Sequence, residues 1–338
     1  MYALAAHART TGIEVTLLCF PGTIEADWEA ATGVRASPIA TTAPQSEAKI
    51  TENLLLMGAY LRGARAFDRV LLFTYYLGVS AAPLNLLLAG RGVRFGLDLH
   101  DNLAGNKGRM LLRIAAKGIH QVTCCSTFTA NQLADRTGAL PHAVNALHGP
   151  AEALPVRVSK SDGPLRVCIA GRIIGEKRHD VVARAVAQLG PDAIMVLRGG
   201  GDGSVHDNSE EIRALCTELL GARFRDEGKV EPARVLDDID VMVVANPGEP
   251  MGRTVLEAQL SGVLAVVPDA GGSAELVINQ VTGYHFAAND PTDLARVLRD
   301  IATNPEAQAR VRAAAQTRAT GTVTTAAYAG AYLRLLAG

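Results

Sequence analysis

Short apolar runs that alternate with longer helical patterns constrain this chain more than any other feature. The runs are EVTLLCF, RVLLFTYY, VRFGLDLH, QVTCCS, LRVCIAG, AIMVLRG, VMVVANP and VLAVVPD. Strands this apolar on both faces need cover on both sides, and helices between successive strands supply it by making the sheets parallel. The class is therefore α/β. The alternation is interrupted once, at AEALPVRVSKSDGP (residues 151–164), where prolines, a glycine and mixed charges separate two strand series. This predicts a first domain over residues 1–154, a linker over 155–164, a second domain over 165–318, and a C-terminal helix over 319–338 that crosses back to the first domain. A chain of 338 residues suits two such domains.

Composition narrows the partners. With 48% hydrophobic and 20% charged residues the chain is globular, not disordered. Its net charge of -1 lacks the basic footprint of a nucleic-acid binder. Residues 1–150 carry 13 Lys and Arg against 10 Asp and Glu, and the remainder 20 against 24, so the first half is only mildly the more basic. Cys19, Cys124, Cys125, Cys168 and Cys216 have neither Cys-x-x-Cys nor zinc spacing and read as reduced core residues. The opening MYALAAHARTTG has no secretory signal pattern, which points to the cytoplasm. Residues 70–90 carry no charge over a length that could span a bilayer. Gly78, Ser80, Pro83 and Asn85 instead divide them into a buried strand, a loop and a helix.

Three motifs bear on chemistry. Gly171-Arg172 follows the strand LRVCIA, and Lys177-Arg178 opens the helix HDVVARAVAQL. Two cations at a strand end above a helix start suit a diphosphate, the alternative being a solvated basic turn. The spacing departs from a Walker A loop. Gly199, Gly200, Gly201 and Gly203 likewise miss the dinucleotide fingerprint, because Ser204 stands where the third glycine is needed. Glu249 and Glu257 lie eight residues apart, the first on a turn and the second in the helix behind it. They could accept hydrogen bonds from two separate sets of hydroxyls, or simply complement a helix dipole at the surface.

Taken in order, the strand with Gly-Arg and Lys, the glycine-rich strand end, Asp240 before VMVVANP, Glu-x7-Glu, SGVLAVVPDAGG, Glu275 and TGYHF resemble the C-terminal domain of the retaining GT-B glycosyltransferases of family 4. The resemblance covers about residues 165–335. In the N-terminal half GIEVTLL, GVRFGLDLHDN, VTCCSTFTANQL and LHGP look like the family's acceptor domain. It implies two Rossmann-like domains facing a cleft and a hexosyl group moved with retention from a nucleotide diphosphate sugar to an acceptor hydroxyl. The acceptor would be a carbohydrate, a lipid-linked molecule or a small molecule. No metal and no cofactor beyond the donor are expected. Arg172 and Lys177 would bind the diphosphate, Glu257 the ribose, and Glu249 with the Met251–Thr254 backbone, hence Gly252, Arg253 and Thr254, the sugar. His100 would face the sugar from the other lobe. Met251 and Arg178 stand where phenylalanine and glycine are usual. The first strand and its glycine-rich loop are expected to be missing, since ALAAHARTTG reads as the first helix.

Other readings are weaker or compete. Asp238-Ile239-Asp240 has the form of a metal-binding Asp-x-Asp but leads into a strand instead of ending one. Among eight histidines only His100, with Asp101, falls where a strand end would enter a cleft, the alternative being an ordinary partly buried histidine. Lys107, Arg109, Arg113 and Lys117 form a helical basic stripe, either a solvated face or a peripheral contact with an anionic membrane surface. An epimerase or hydrolase acting on the donor, or a nucleotide-sugar-binding homologue without turnover, are the alternative functions.

Overall fold

The computed structural model describes residues 17–19, 29–30, 32–33, 36–38, 63, 66–72, 87–100, 119–137, 144–146, 149, 151, 153–154, 163–201, 203, 206–322 and 328–333. The chain divides into two compact units: Met1–Pro150 together with Thr325–Gly338, and Ala151–Thr324. Most of the linker read at 155–164 lies outside the described residues, as do the opening segment and the basic stripe.

In the first unit β1 (Leu17–Cys19) pairs in parallel with β2 (Ala36–Pro38). A second parallel sheet runs in chain order through β3 (Arg69–Leu72), β4 (Arg94–Leu99), β5 (Gln121–Cys124) and β6 (Val144–Ala146), with α1 (Thr127–Thr137) between the last two. Five consecutive residues of β4, Phe95–Leu99, are buried, as its near-continuous apolar run requires. The chain re-enters this unit at residues 328–333. There Tyr328 and Tyr332 are buried, with Leu71 of β3 packed against them.

The second unit is a doubly wound sheet. Its strands are β7 (Leu165–Arg172), β8 (Ala193–Gly200), β9 (Phe224–Gly228), β10 (Val241–Val243), β11 (Leu264–Pro268) and β12 (Tyr284–Phe286), all parallel in the order β12-β11-β10-β7-β8-β9. Alternate residues feed opposite cores. Val167, Met195, Leu197, Val241 and Val266 pack under α2 (His179–Gln188), α3 (Ser209–Leu220) and α6 (Pro291–Thr303). Cys168, Val196, Met242 and Ala265 face α4 (Arg253–Leu260), Leu276 just after the short α5 (Gly272–Glu275), and the end of α7 (Pro305–Thr322). α6 starts on Pro291, with the Asp290 carboxylate accepting from the amides of Thr292 and Asp293. α7 continues past residue 318 because Val311, Ala315 and Ala319 extend one buried stripe at i, i+4 spacing.

Residues 151–154 already belong to the second unit: Ala151 is in its core and the Leu154 amide donates to Ser261 Oγ at 2.8 Å. Cys124, Cys125, Cys168 and Cys216 are buried and form no disulfide. Of the uncharged 70–90 segment, Arg69–Leu72 forms β3 and residues 87–89 are helical, while 73–86 lie outside the described residues. Among the described residues no helix is long and apolar enough to cross a membrane.

Candidate functional site

The strand order reverses between β7 and β10, and an open parallel sheet leaves a crevice for ligands at the carboxyl ends of the two strands flanking such a reversal. Two of the three motifs singled out in the sequence emerge there. β7 ends at Gly171-Arg172 and leads through a 3-10 turn, Gly175–Lys177, into α2. β10 leads through Asn246-Pro247-Gly248 to Glu249.

The two loops meet in one ion pair. Lys177 Nζ donates to Glu249 Oε2 at 2.7 Å, with the side chains 28% and 14% exposed, so the pair is shielded without being sealed. Asn246 Nδ2 donates to the same oxygen at 3.3 Å, while Asn246 Oδ1 accepts from the Gly248 amide at 2.9 Å. The Glu249 carbonyl accepts from the Gly272 amide at 2.7 Å, which ties the loop to the start of α5. Gly271 (φ 82°) permits this approach: a Cβ there would lie 2.8 Å from the Pro247 carbonyl oxygen. Arg172 is exposed at the strand terminus. A cation and a carboxylate so joined can bind phosphate and hydroxyl groups of one ligand once their mutual contact is exchanged for it.

The second carboxylate sits one turn inside α4. Glu257 Oε1 accepts from Arg253 Nε at 2.8 Å, and the side chains are 13% and 67% exposed. Burial raises the Glu257 pKa, and the Arg253 guanidinium offsets part of that rise. Gly252 caps α4 in a left-handed conformation (φ 87°), and a Cβ there would stand 3.0 Å from the Ser273 Cβ. The first amides of α4, at Arg253 and Thr254, have no preceding helical turn to bond to.

Two neighbouring residues shape α2. Arg178 occupies the left-handed region (φ 55°) that makes glycine usual at such a position, and Asp180 and Asn289 hold its guanidinium. His179 is 1% exposed and neither ring nitrogen has a hydrogen-bond partner in the structure. Burial, reinforced by the Lys177 charge, lowers its pKa to about 4, so the ring is neutral.

Gly199, near the end of β8, serves packing. A Cβ on Gly199 would fall 1.8 Å from the Gly171 carbonyl oxygen, so β7 and β8 can pair side by side only with glycine there. The Asp-x-Asp pair is engaged by a strand residue: Arg166 Nη2 meets Asp238 Oδ2 at 2.7 Å, and the Arg166 amide donates to Asp240 Oδ2 at 2.9 Å. No cluster of three metal-ligating side chains occurs among the described residues.

His100 belongs to the first unit and follows β4. Its partner is Asp98, with Nε2 2.8 Å from Oδ2; Asp101, the neighbour singled out in the sequence, lies outside the described residues. The signal for Asp98 was its place two residues earlier, on the same face of the strand. Asn246 was also missed, though it starts the Asn-Pro-Gly turn three residues before Glu249, where an Asx side chain commonly bonds the backbone two residues on.

Residues 152–318 match a protein-family model described as glycosyl transferases group 1. A D-inositol 3-phosphate glycosyltransferase of Streptomyces avermitilis is 34% identical over 159 residues, 44% of this chain and 34% of that protein. A glycogen synthase of Mycobacterium tuberculosis is 31% identical over 161 residues, 46% and 38% respectively. The matches thus span little more than a third of these relatives' length. Among solved structures, Anabaena HepE in complex with UDP superposes with a TM-score of 0.82 at 17% identity, covering 99% of this chain and 95% of that one. The sucrose-phosphate synthase of Thermosynechococcus elongatus gives 0.76 at 17% identity, covering 99% and 92%. With parallel sheets in both units, the fold is that of the GT-B glycosyltransferases, and residues 152–318 carry the region typical of glycosyl transferases group 1.

Proposed function

We propose that this chain is a glycosyltransferase that moves a hexosyl group from a nucleotide diphosphate sugar to an acceptor hydroxyl with retention, and without a metal. The observation that carries the reading is the Lys177–Glu249 pair at the reversal between β7 and β10. Lys177 and Arg172 supply the positive charge that a leaving diphosphate requires. Glu249 is the hydroxyl acceptor for the transferred sugar. Glu257 takes the ribose hydroxyls once Arg253 swings from its carboxylate, an exposed partner being cheap to displace. The backbone of Gly252, Arg253 and Thr254 adds amide donors. The names of similar proteins support this direction: HepE is solved with UDP and with UDP-glucose, and relatives over residues of the second unit are glycosyltransferases.

In the proposed reaction the bond between the anomeric carbon and the diphosphate oxygen breaks, and the acceptor oxygen bonds to the same face. The acceptor proton passes to the departing phosphate, so no covalent enzyme intermediate is assigned. Donor turnover with a panel of nucleotide diphosphate sugars, followed by product stereochemistry by NMR and repeated in excess chelator, tests the reading. Transfer with retention that survives chelation is expected. Release of free sugar alone, or activity lost in EDTA and restored by Mg²⁺ or Mn²⁺, would overturn it in favour of hydrolysis or of a metal site.

A further inference from the structure

Asp98 is 1% exposed on β4, where five successive residues are buried, and a carboxylate survives there only if something answers its charge. The answer is the His100 ring, whose Nε2 lies 2.8 Å from Oδ2 while the side chain remains 42% exposed at the strand end. The other titratable neighbours are Cys124 at the end of β5, Cys125 just after it, and Tyr328 and Tyr332 from residues 328–333; burial raises the pKa values of Cys124, Tyr328 and Tyr332 and keeps those three neutral. Among the described residues no second cation is paired with Asp98.

We propose that Asp98 is a positioning residue that anchors Nε2 of His100 and keeps the ring a charged hydrogen-bond donor at the carboxyl end of β4. The ligand this suits is a hydroxyl or phosphate oxygen, and its weight in transfer rests on the function proposed above. A neutral imidazole tethered through Nε2–H would present its other nitrogen as an acceptor, whereas the imidazolium presents a donor. Electrostatics agree with the geometry. Burial by itself lowers the His100 pKa, but the Asp98 hydrogen bond and charge, with Cys125 as a lesser neighbour, outweigh it and raise the pKa to about 10.

The test has two arms. In the first, the ring resonances of the full chain are followed by NMR across pH, with the His100 signal identified by its loss in His100→Gln. The wild-type ring should remain charged until the pH nears about 10, and Asp98→Asn should bring its midpoint down toward 6.5. A wild-type midpoint near 6.5 overturns the inference without any variant, even if Asp98→Asn fails to fold. In the second arm, donor turnover by Asp98→Asn is compared with wild type. It should be within about twofold at pH 5.5, where the ring is charged in both, and lower by roughly tenfold to a hundredfold at pH 8.5. A deficit that does not change with pH means Asp98 is only structural. A confirmed titration with no transfer by the wild type at any pH sinks the functional reading and leaves the positioning role standing.

Discussion

The two units answer the same problem, placing charge at the end of a parallel sheet, in different ways. In the second unit the pair joins Lys177 to Glu249, 72 residues apart, and the reversal of strand order between β7 and β10 brings them together. In the first, the described strands β3 to β6 run in one direction, and His100 finds Asp98 two residues back on its own strand. One arrangement depends on topology and the other on local chain geometry. Disturbing the seam between strands should therefore dismantle the first pair and spare the second.

The largest expected effect tests that contrast directly. Gly199→Ala drives a Cβ into the Gly171 backbone and should destabilise the second unit by about 4 kcal/mol or more. Hydrogen exchange would then show protection lost across β7 and β8 while β4 and β5 keep theirs. Equal loss in both units would mean that they do not respond separately.

Acid provides a sharper probe. The pKa of His179 is lowered in the fold, so the stability linked to its neutral ring is present above about 6.5 and lost as pH falls toward 4. The loss amounts to about 3 kcal/mol over that window. His179→Leu should flatten the acid side of the second unit's melting curve. His100 has the opposite sign: its pKa is raised, so its contribution is present below about 6.5 and fades as pH rises toward 10. A His179→Leu profile that still falls between pH 6.5 and 4 would assign the acid sensitivity elsewhere.

Smaller effects separate the two carboxylates. Glu257→Ala should weaken UDP or another nucleoside diphosphate in calorimetry by about 1.5 kcal/mol. Glu249→Ala should leave that binding nearly intact and lower turnover. Identical profiles for both variants would show that they share one role. Least of all, Arg178→Gly should raise stability by up to about 1 kcal/mol, because glycine adopts the left-handed conformation freely and the Asp180 and Asn289 contacts it gives up are partly exposed. A clear loss of stability would show that those contacts outweigh the strain.

What could be read without coordinates follows the same division. The α/β class was legible because Val167–Ile169 and Met195–Leu197 are apolar on both faces, which only a covered parallel strand tolerates. Arg172, Lys177, Glu249 and Glu257 were legible as candidates from their places at strand ends and helix starts. Their pairing was not, since nothing in spacing says that a lysine after β7 meets a glutamate after β10 rather than another carboxylate. Arg253 reads as a solvated charge until the helix sets it four residues from Glu257 on the same face. The αL backbone at Arg178 and the buried ring of His179 depend on three-dimensional surroundings that neighbouring letters do not encode.

The return of Thr325–Gly338 to the first unit sets a schedule for biosynthesis. Tyr332 is fully buried there, yet it follows all 174 residues of the other unit along the chain. A ribosome therefore completes the second unit while the seat for Tyr328, Ala329 and Tyr332 is still empty and its apolar lining is open to solvent. The nascent first unit is therefore held incomplete until these last side chains emerge.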